Sequence, residues 1–132
     1  MKATMALLPA RAAGPSSSCL HPFAAGELER LHSALHGVTC ATNPRTARLM
    51  RAGLRKISQK VVEEAAEVAL EAVRKRTDTT VCESADLLYH LVVLWQALGI
   101  QPAEVWAEMR HRADAFGIAE KPPKHPDLLA GA

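Results

Sequence analysis

An all-α bundle of about four helices is predicted by three features of the chain. Apolar residues make up 48 % of its 132 positions and aromatic ones only 4 %, so a core would be filled mainly by Ala, Val and Leu. Such side chains suit helices packed through small and branched aliphatic groups. Apolar positions recur at spacings of three and four over long stretches, and no run of four or more residues alternates as a half-buried strand would. Gly and Pro fall between these stretches, where helices stop and start. The length fits one domain and excludes a TIM barrel and most two-domain enzymes.

Residues 1–25 carry Pro9, Gly14, Pro15, Ser16 to Ser18 and Pro22 without a sustained period. They are expected to be a poorly ordered N-terminal segment ahead of a helical domain over 26–118. Leu28, Leu31 and Leu35 predict a short helix over Glu27–Leu35, ended by Gly37. Asn43 and Pro44 read as N-cap and first helical residue of the next. That helix is predicted from Pro44 to Arg76, with Gly53 as a place to bend. Thr77 to Thr80 read as a break before a third helix, Val81 to Leu98, with Gly99 as its C-cap. Pro102 opens a fourth, to Phe116, and Gly117 closes it. Residues 119–132 contain Pro122, Pro123 and Pro126 and are expected to form a non-helical tail.

Several function classes are disfavoured at this level. Sixteen basic against 14 acidic side chains give a net charge of +2, no signature of a nucleic-acid-binding protein. No apolar run is long enough for a transmembrane helix, and the patch from Met5 to Leu8 is too short for a signal-peptide core. Cys19, Cys40 and Cys82 are far apart and odd in number, so they read as free thiols of a cytoplasmic protein.

The centre of the chain carries the chemistry. On a helical wheel at roughly 100° per residue, Ile57, Val61, Val68 and Ala72 form an apolar stripe with Glu64 inside it. Lys60, Glu67 and Glu71 lie on its shoulder and Glu63 further round. A carboxylate inside a core-facing stripe is costly unless a cation or a solvent-filled cleft compensates it. The third predicted helix is apolar around most of its circumference and therefore reads as largely buried. Its exceptions, Glu83, Asp86 and His90, share one narrow strip. Packed antiparallel, Glu64 and Glu67 would face Glu83 and Asp86. Four converging carboxylates would bind a hard divalent cation, Mg²⁺ above all.

Plainer readings stand beside these. Thr80 and Glu83 also have capping-box spacing. Glu63, Glu67 and Glu71 also fit an ordinary solvated face. Arg45, Arg48, Arg51, Arg55, Lys56 and Lys60 cluster just upstream, as a polyphosphate-binding set or as a solvated helix face.

Taken together, Glu63-Glu64-Ala65-Ala66-Glu67, Glu83-Ser84-Ala85-Asp86-Leu87-Leu88-Tyr89-His90-Leu91 and Gly117-Ile118-Ala119-Glu120-Lys121 resemble the phosphoribosyl-ATP pyrophosphohydrolases of histidine biosynthesis. These are all-α, MazG-like nucleotide pyrophosphohydrolases, and the likeness covers about residues 44–124. It implies Mg²⁺-dependent hydrolysis of the α–β phosphoanhydride of phosphoribosyl-ATP, with the ion held by Glu64, Glu67, Glu83 and Asp86. It implies Glu63 or Glu67 as proton acceptor, Lys56 and Lys60 on the leaving pyrophosphate, and a homodimer with sites near the subunit interface. The Cys/His-rich cyclohydrolase domain often fused to this enzyme is absent, which implies a stand-alone enzyme. The chain departs from the pattern at Arg45, where the family usually has Tyr, at Val62, where it usually has Gly, at Glu71, commonly small or apolar, and in the Pro122-Pro123-Lys124 ending; the first two bear on substrate. Both are expected on the segment that approaches the nucleotide, with Arg45 binding substrate phosphate.

Overall fold

The computed structural model describes residues 26–124, so the expectations for 1–25 and 125–132 lie outside the described residues. Five helices follow in order: α1 (Glu27–Leu35), α2 (Pro44–Ala52), α3 (Leu54–Val73), α4 (Thr77–Leu98) and α5 (Pro102–Phe116). No strand occurs among the described residues, and the all-α class is the predicted one.

The long helix expected from Pro44 to Arg76 is two helices. Gly53 sits between them at φ 88°, ψ 178°, a conformation that side chains with a Cβ rarely adopt. It therefore re-aims the chain instead of bending one helix. The expected break at Thr77 to Thr80 is instead the first turn of α4. The Thr80 hydroxyl donates to the Arg76 carbonyl at 2.8 Å, and the Ser84 hydroxyl to the Thr80 carbonyl at 2.6 Å. Bonding back to the preceding turn lets these residues sit inside a helix that their propensities argue against. The real turn is Arg74 to Arg76, with Lys75 at φ 57° and the Arg76 amide bonded to the Glu71 carbonyl at 3.1 Å. Thr80 is thus no N-cap, and the capping-box role of Glu83 falls away.

Helices α3 and α4 form an antiparallel hairpin, the most extensive helix pair in the fold. Ile57, Val92 and Val93 are its fully buried side chains, joined by Leu35 and Trp95. Helix α1 packs on α4 and is tied to the α4–α5 connection by buried His32, whose Nε2 donates to the Ile100 carbonyl at 3.0 Å. Trp106 of α5 meets Trp95 edge-to-face at 6.1 Å, and its indole N–H donates to Glu29 of α1.

The fold corrects two burial expectations. Helix α4 is not covered all round in one chain, because Val81, Leu88 and Leu98 are exposed. Ala72 is exposed too, and Glu71 takes a buried place instead. Its Oε1 accepts from Arg74 Nη1 at 2.7 Å and its Oε2 from Arg76 Nη1 at 3.4 Å. Glu71 is thereby a fastener of the turn, not a member of the carboxylate group one turn away. Val62, Leu70 and Val73 form a second apolar stripe on α3, facing away from α4.

Candidate active site

The hairpin brings the central acidic residues together. Glu64 is only 6 % exposed and projects from α3 toward α4. Carboxylate oxygens of Glu64, Glu83 and Asp86 all lie within 4.8 Å of one another. Glu67 neighbours Glu83 but is outside that tight group of three. The Glu67 contact, then partial desolvation, then the charges of Glu67, Asp86 and Glu64 push the Glu83 carboxyl above its ordinary range. Like charges gathered this closely resist full ionisation unless a cation joins them. Three hard oxygen donors carried on two rigid helices match the chemistry of a hard divalent cation, so these residues fit one.

Lys60 supplies the nearest positive charge. Its ammonium contacts Glu64 Oε1 at 2.9 Å and Glu63 Oε2 at 2.8 Å. Those hydrogen bonds push its pKa above the ordinary lysine range. The same contact holds the exposed Glu63 carboxyl below its usual range, helped by Gln59 at 2.8 Å. Glu63 therefore flanks the group on the outside. His90 lies on the α4 side. Its Nδ1 donates to the Asp86 carbonyl at 2.8 Å and sits 3.8 Å from Glu64 Oε1. A carbonyl only accepts, so this nitrogen carries the ring proton.

A cavity of about 780 Å³ opens beside these groups. Helix α2 contributes Arg45, Thr46 and Arg48 to its wall; α3 contributes Lys56, Lys60 and Glu64; α4 contributes Asp86, Tyr89 and His90. The expected phosphate-binding residues Arg45, Lys56 and Lys60 thus share one cavity with two of the acids. Glu63, Glu67, Glu83 and Val62 do not line it. Val62 is 69 % exposed on the outer stripe of α3, away from this cavity. Sequence reasoning missed Thr46 and Tyr89 and undervalued Arg48 and His90. Helical spacing held a signal: Arg48 follows Arg45 by three, and Tyr89 and His90 follow Asp86 by three and four.

Comparison with known proteins identifies the family of the chain. A family model described as phosphoribosyl-ATP pyrophosphohydrolase matches residues 28–113, a span containing the acids and the cavity wall. The chain is 51 % identical over 100 residues to a Bradyrhizobium diazoefficiens protein named phosphoribosyl-ATP pyrophosphatase 2, covering 74 % of each chain. It is 48 % identical over 103 residues to a protein of the same name from Rhodopseudomonas palustris, covering 76 % of this chain and 78 % of that one. A phosphoribosyl-ATP pyrophosphatase of Granulibacter bethesdensis is 51 % identical over 76 residues, covering 58 % of this chain and 48 % of that one. This enzyme belongs to the phosphoribosyl-ATP pyrophosphohydrolase family.

Proposed function

We propose that the protein hydrolyses the α–β phosphoanhydride of phosphoribosyl-ATP, releasing phosphoribosyl-AMP and pyrophosphate in histidine biosynthesis. The observation that carries this reading is the convergence of Glu64, Glu83 and Asp86, two of which, Glu64 and Asp86, line a cavity together with Arg45, Arg48 and Lys56. Acids for a cation and cations for a polyphosphate share one cavity, a combination suited to anhydride hydrolysis.

Glu64, Glu83 and Asp86 would hold Mg²⁺, with Glu67 at the edge of the set. Such an ion supplies neutralisation of phosphate charge and acidification of an attacking water. Arg45 and Arg48 offer forked donors to phosphate oxygens, and Lys56 offers a point charge to the leaving pyrophosphate. Lys60 holds buried Glu64 in place through its contact at 2.9 Å. Glu67 is our choice to accept the proton of the attacking water, because Glu63 is committed to Lys60 and Gln59. The outer stripe of Val62, Leu70 and Val73, with Val81 and Leu88 on α4, supports a homodimer that covers these side chains. No helix among the described residues is long and apolar enough to cross a membrane. The exposed thiols of Cys40 and Cys82 support a reducing, cytoplasmic location.

The test is pyrophosphate release from phosphoribosyl-ATP and from ATP, each with Mg²⁺ and with chelator. We expect Mg²⁺-dependent turnover with kcat/KM higher for phosphoribosyl-ATP. Turnover of ATP or another nucleotide alone would remove the histidine-pathway assignment and leave the pyrophosphohydrolase chemistry standing. In the same assay Arg45→Tyr should shift the ratio of the two kcat/KM values, because residue 45 lines the cavity.

A further inference from the structure

We propose that the Thr46–Tyr89 hydroxyl pair is a latch that positions α2, and with it Arg45 and Arg48, over the carboxylates of α4. This rests on the pyrophosphohydrolase reading above, because it concerns how the two walls of that same cavity are held.

Helix α2 has only nine residues, and it is hung from α3 by Gly53. Nothing lies within 4 Å of where a Cβ on Gly53 would stand, so the side-chain face of that joint is open. Helix α2 lies chiefly against α3, with Leu49 and Met50 packed on the core cluster of Ile57, Val92 and Val93. Across the cavity, the polar contact from α2 to α4 is Thr46 Oγ1 to Tyr89 Oη at 2.5 Å. Both hydroxyls belong to side chains that line the cavity.

Each end of the pair is coupled to charged groups. Thr46 is flanked by Arg45 and lies two residues before Arg48, so its position sets where both guanidiniums emerge. Tyr89 is three residues after Asp86 on the same helix. Its ring stands edge-on to His90, centroids 4.9 Å apart, and His90 is itself bonded to the Asp86 carbonyl at 2.8 Å. The phenol therefore moves with the acid-bearing turn and the threonine with the basic one. A single bond between them fixes the span that a phosphate chain must bridge. Neither hydroxyl is charged, so the pair acts through the orientation of the arginines. Thr46 and Tyr89 are positioning residues in this scheme.

The experiment compares the full chain with Thr46→Val, Thr46→Ser, Tyr89→Phe and the Val/Phe double variant. KM and kcat are measured on phosphoribosyl-ATP, pyrophosphate affinity in Mg²⁺ by calorimetry, and Tm by circular dichroism. Thr46→Val and Tyr89→Phe should each raise KM and the pyrophosphate Kd by about five- to tenfold while kcat stays within about twofold. Thr46→Ser should behave as wild type, and the double variant should be no worse than either single, since one bond is lost in all three. Lowered Tm with unchanged KM and Kd would make the bond merely structural and overturn the proposal. So would a defect in Tyr89→Phe alone, which would put the phenol directly on the ligand. A wild type that binds pyrophosphate but leaves phosphoribosyl-ATP intact would sink the substrate reading, with the affinity series still deciding the latch. A wild type that does not bind pyrophosphate would overturn both.

Discussion

Glu64 on α3 and Asp86 on α4 bring carboxylate oxygens within 4.8 Å of each other across the helical hairpin, with Glu83 as the third member. Glu64 is buried, where an isolated charge is costly. Lys60 at 2.9 Å offsets part of that cost, yet the two α4 acids keep the local balance negative. A bound divalent cation, as proposed above, would offset that excess of negative charge.

Glu64→Gln and Asp86→Asn should each lower Mg²⁺-dependent pyrophosphate release by at least about a hundredfold, because an amide is a poor donor to a hard ion. Far-UV circular dichroism should keep its helical form. Near-wild-type turnover in either variant would place the ion elsewhere.

Glu83 gives a pH dependence. Its folded-state pKa lies above the ordinary value of 4.5, chiefly through its contact with Glu67. The folded protein therefore binds this proton more tightly than the unfolded chain does. The resulting contribution to stability is complete below pH 4.5 and is lost as pH rises through the folded value. Without metal, Glu83→Gln should melt a few degrees above wild type at neutral pH, roughly the shift that small free-energy changes cause in a domain of this size. The gap should close toward pH 4, and Mg²⁺ should raise the wild-type Tm more than that of the variant. A variant less stable than wild type at neutral pH in chelator would contradict this account.

Glu71 should separate structure from catalysis. Its buried carboxylate joins Arg74 and Arg76 across the α3–α4 turn. Both guanidiniums are more than half exposed, so solvent screens the pairs. Glu71→Ala should cost about 1–2 kcal/mol in urea denaturation and leave kcat unchanged. A large fall in kcat at unchanged stability would return Glu71 to the acidic site.

Val73 tests the dimer. It is 82 % exposed, and replacing a solvated valine by aspartate normally shifts stability by no more than about 0.5 kcal/mol. If a second copy covers the outer stripe of α3, Val73→Asp should instead convert a dimer to monomer in light scattering. It should also abolish the dependence of Tm on protein concentration that the dimer shows. A wild type that is already monomeric would leave the stripe to solvent.

Much of the architecture could be read directly from local chemistry. The limits of α1 and α5, the start of α2 at Pro44 and the end of α4 at Gly99 follow from Leu spacing and from Pro and Gly. Those signals act within one or two turns, so a linear reading captures them. The same holds for the two acidic pairs: residues three apart share a helix face wherever that helix goes. Glu64 was recognisable because its wheel neighbours are apolar. The remainder depended on contacts distant in sequence. Gly53 could have bent one helix or divided two, and only its backbone conformation separates these. The threonines from Thr77 to Thr80 carry loop propensities that bonds to the preceding turn override. Glu71 and Glu67 have similar surroundings in the linear chain. One closes a turn and the other joins the acids, because the hairpin returns at Arg76 and sets which α4 residues each one meets. Thr46 meets Tyr89 only after α2 folds back at Gly53 and α4 runs antiparallel to α3. Side-chain type and helical period are carried by each short segment, whereas the partner of a side chain is set by how whole helices pack.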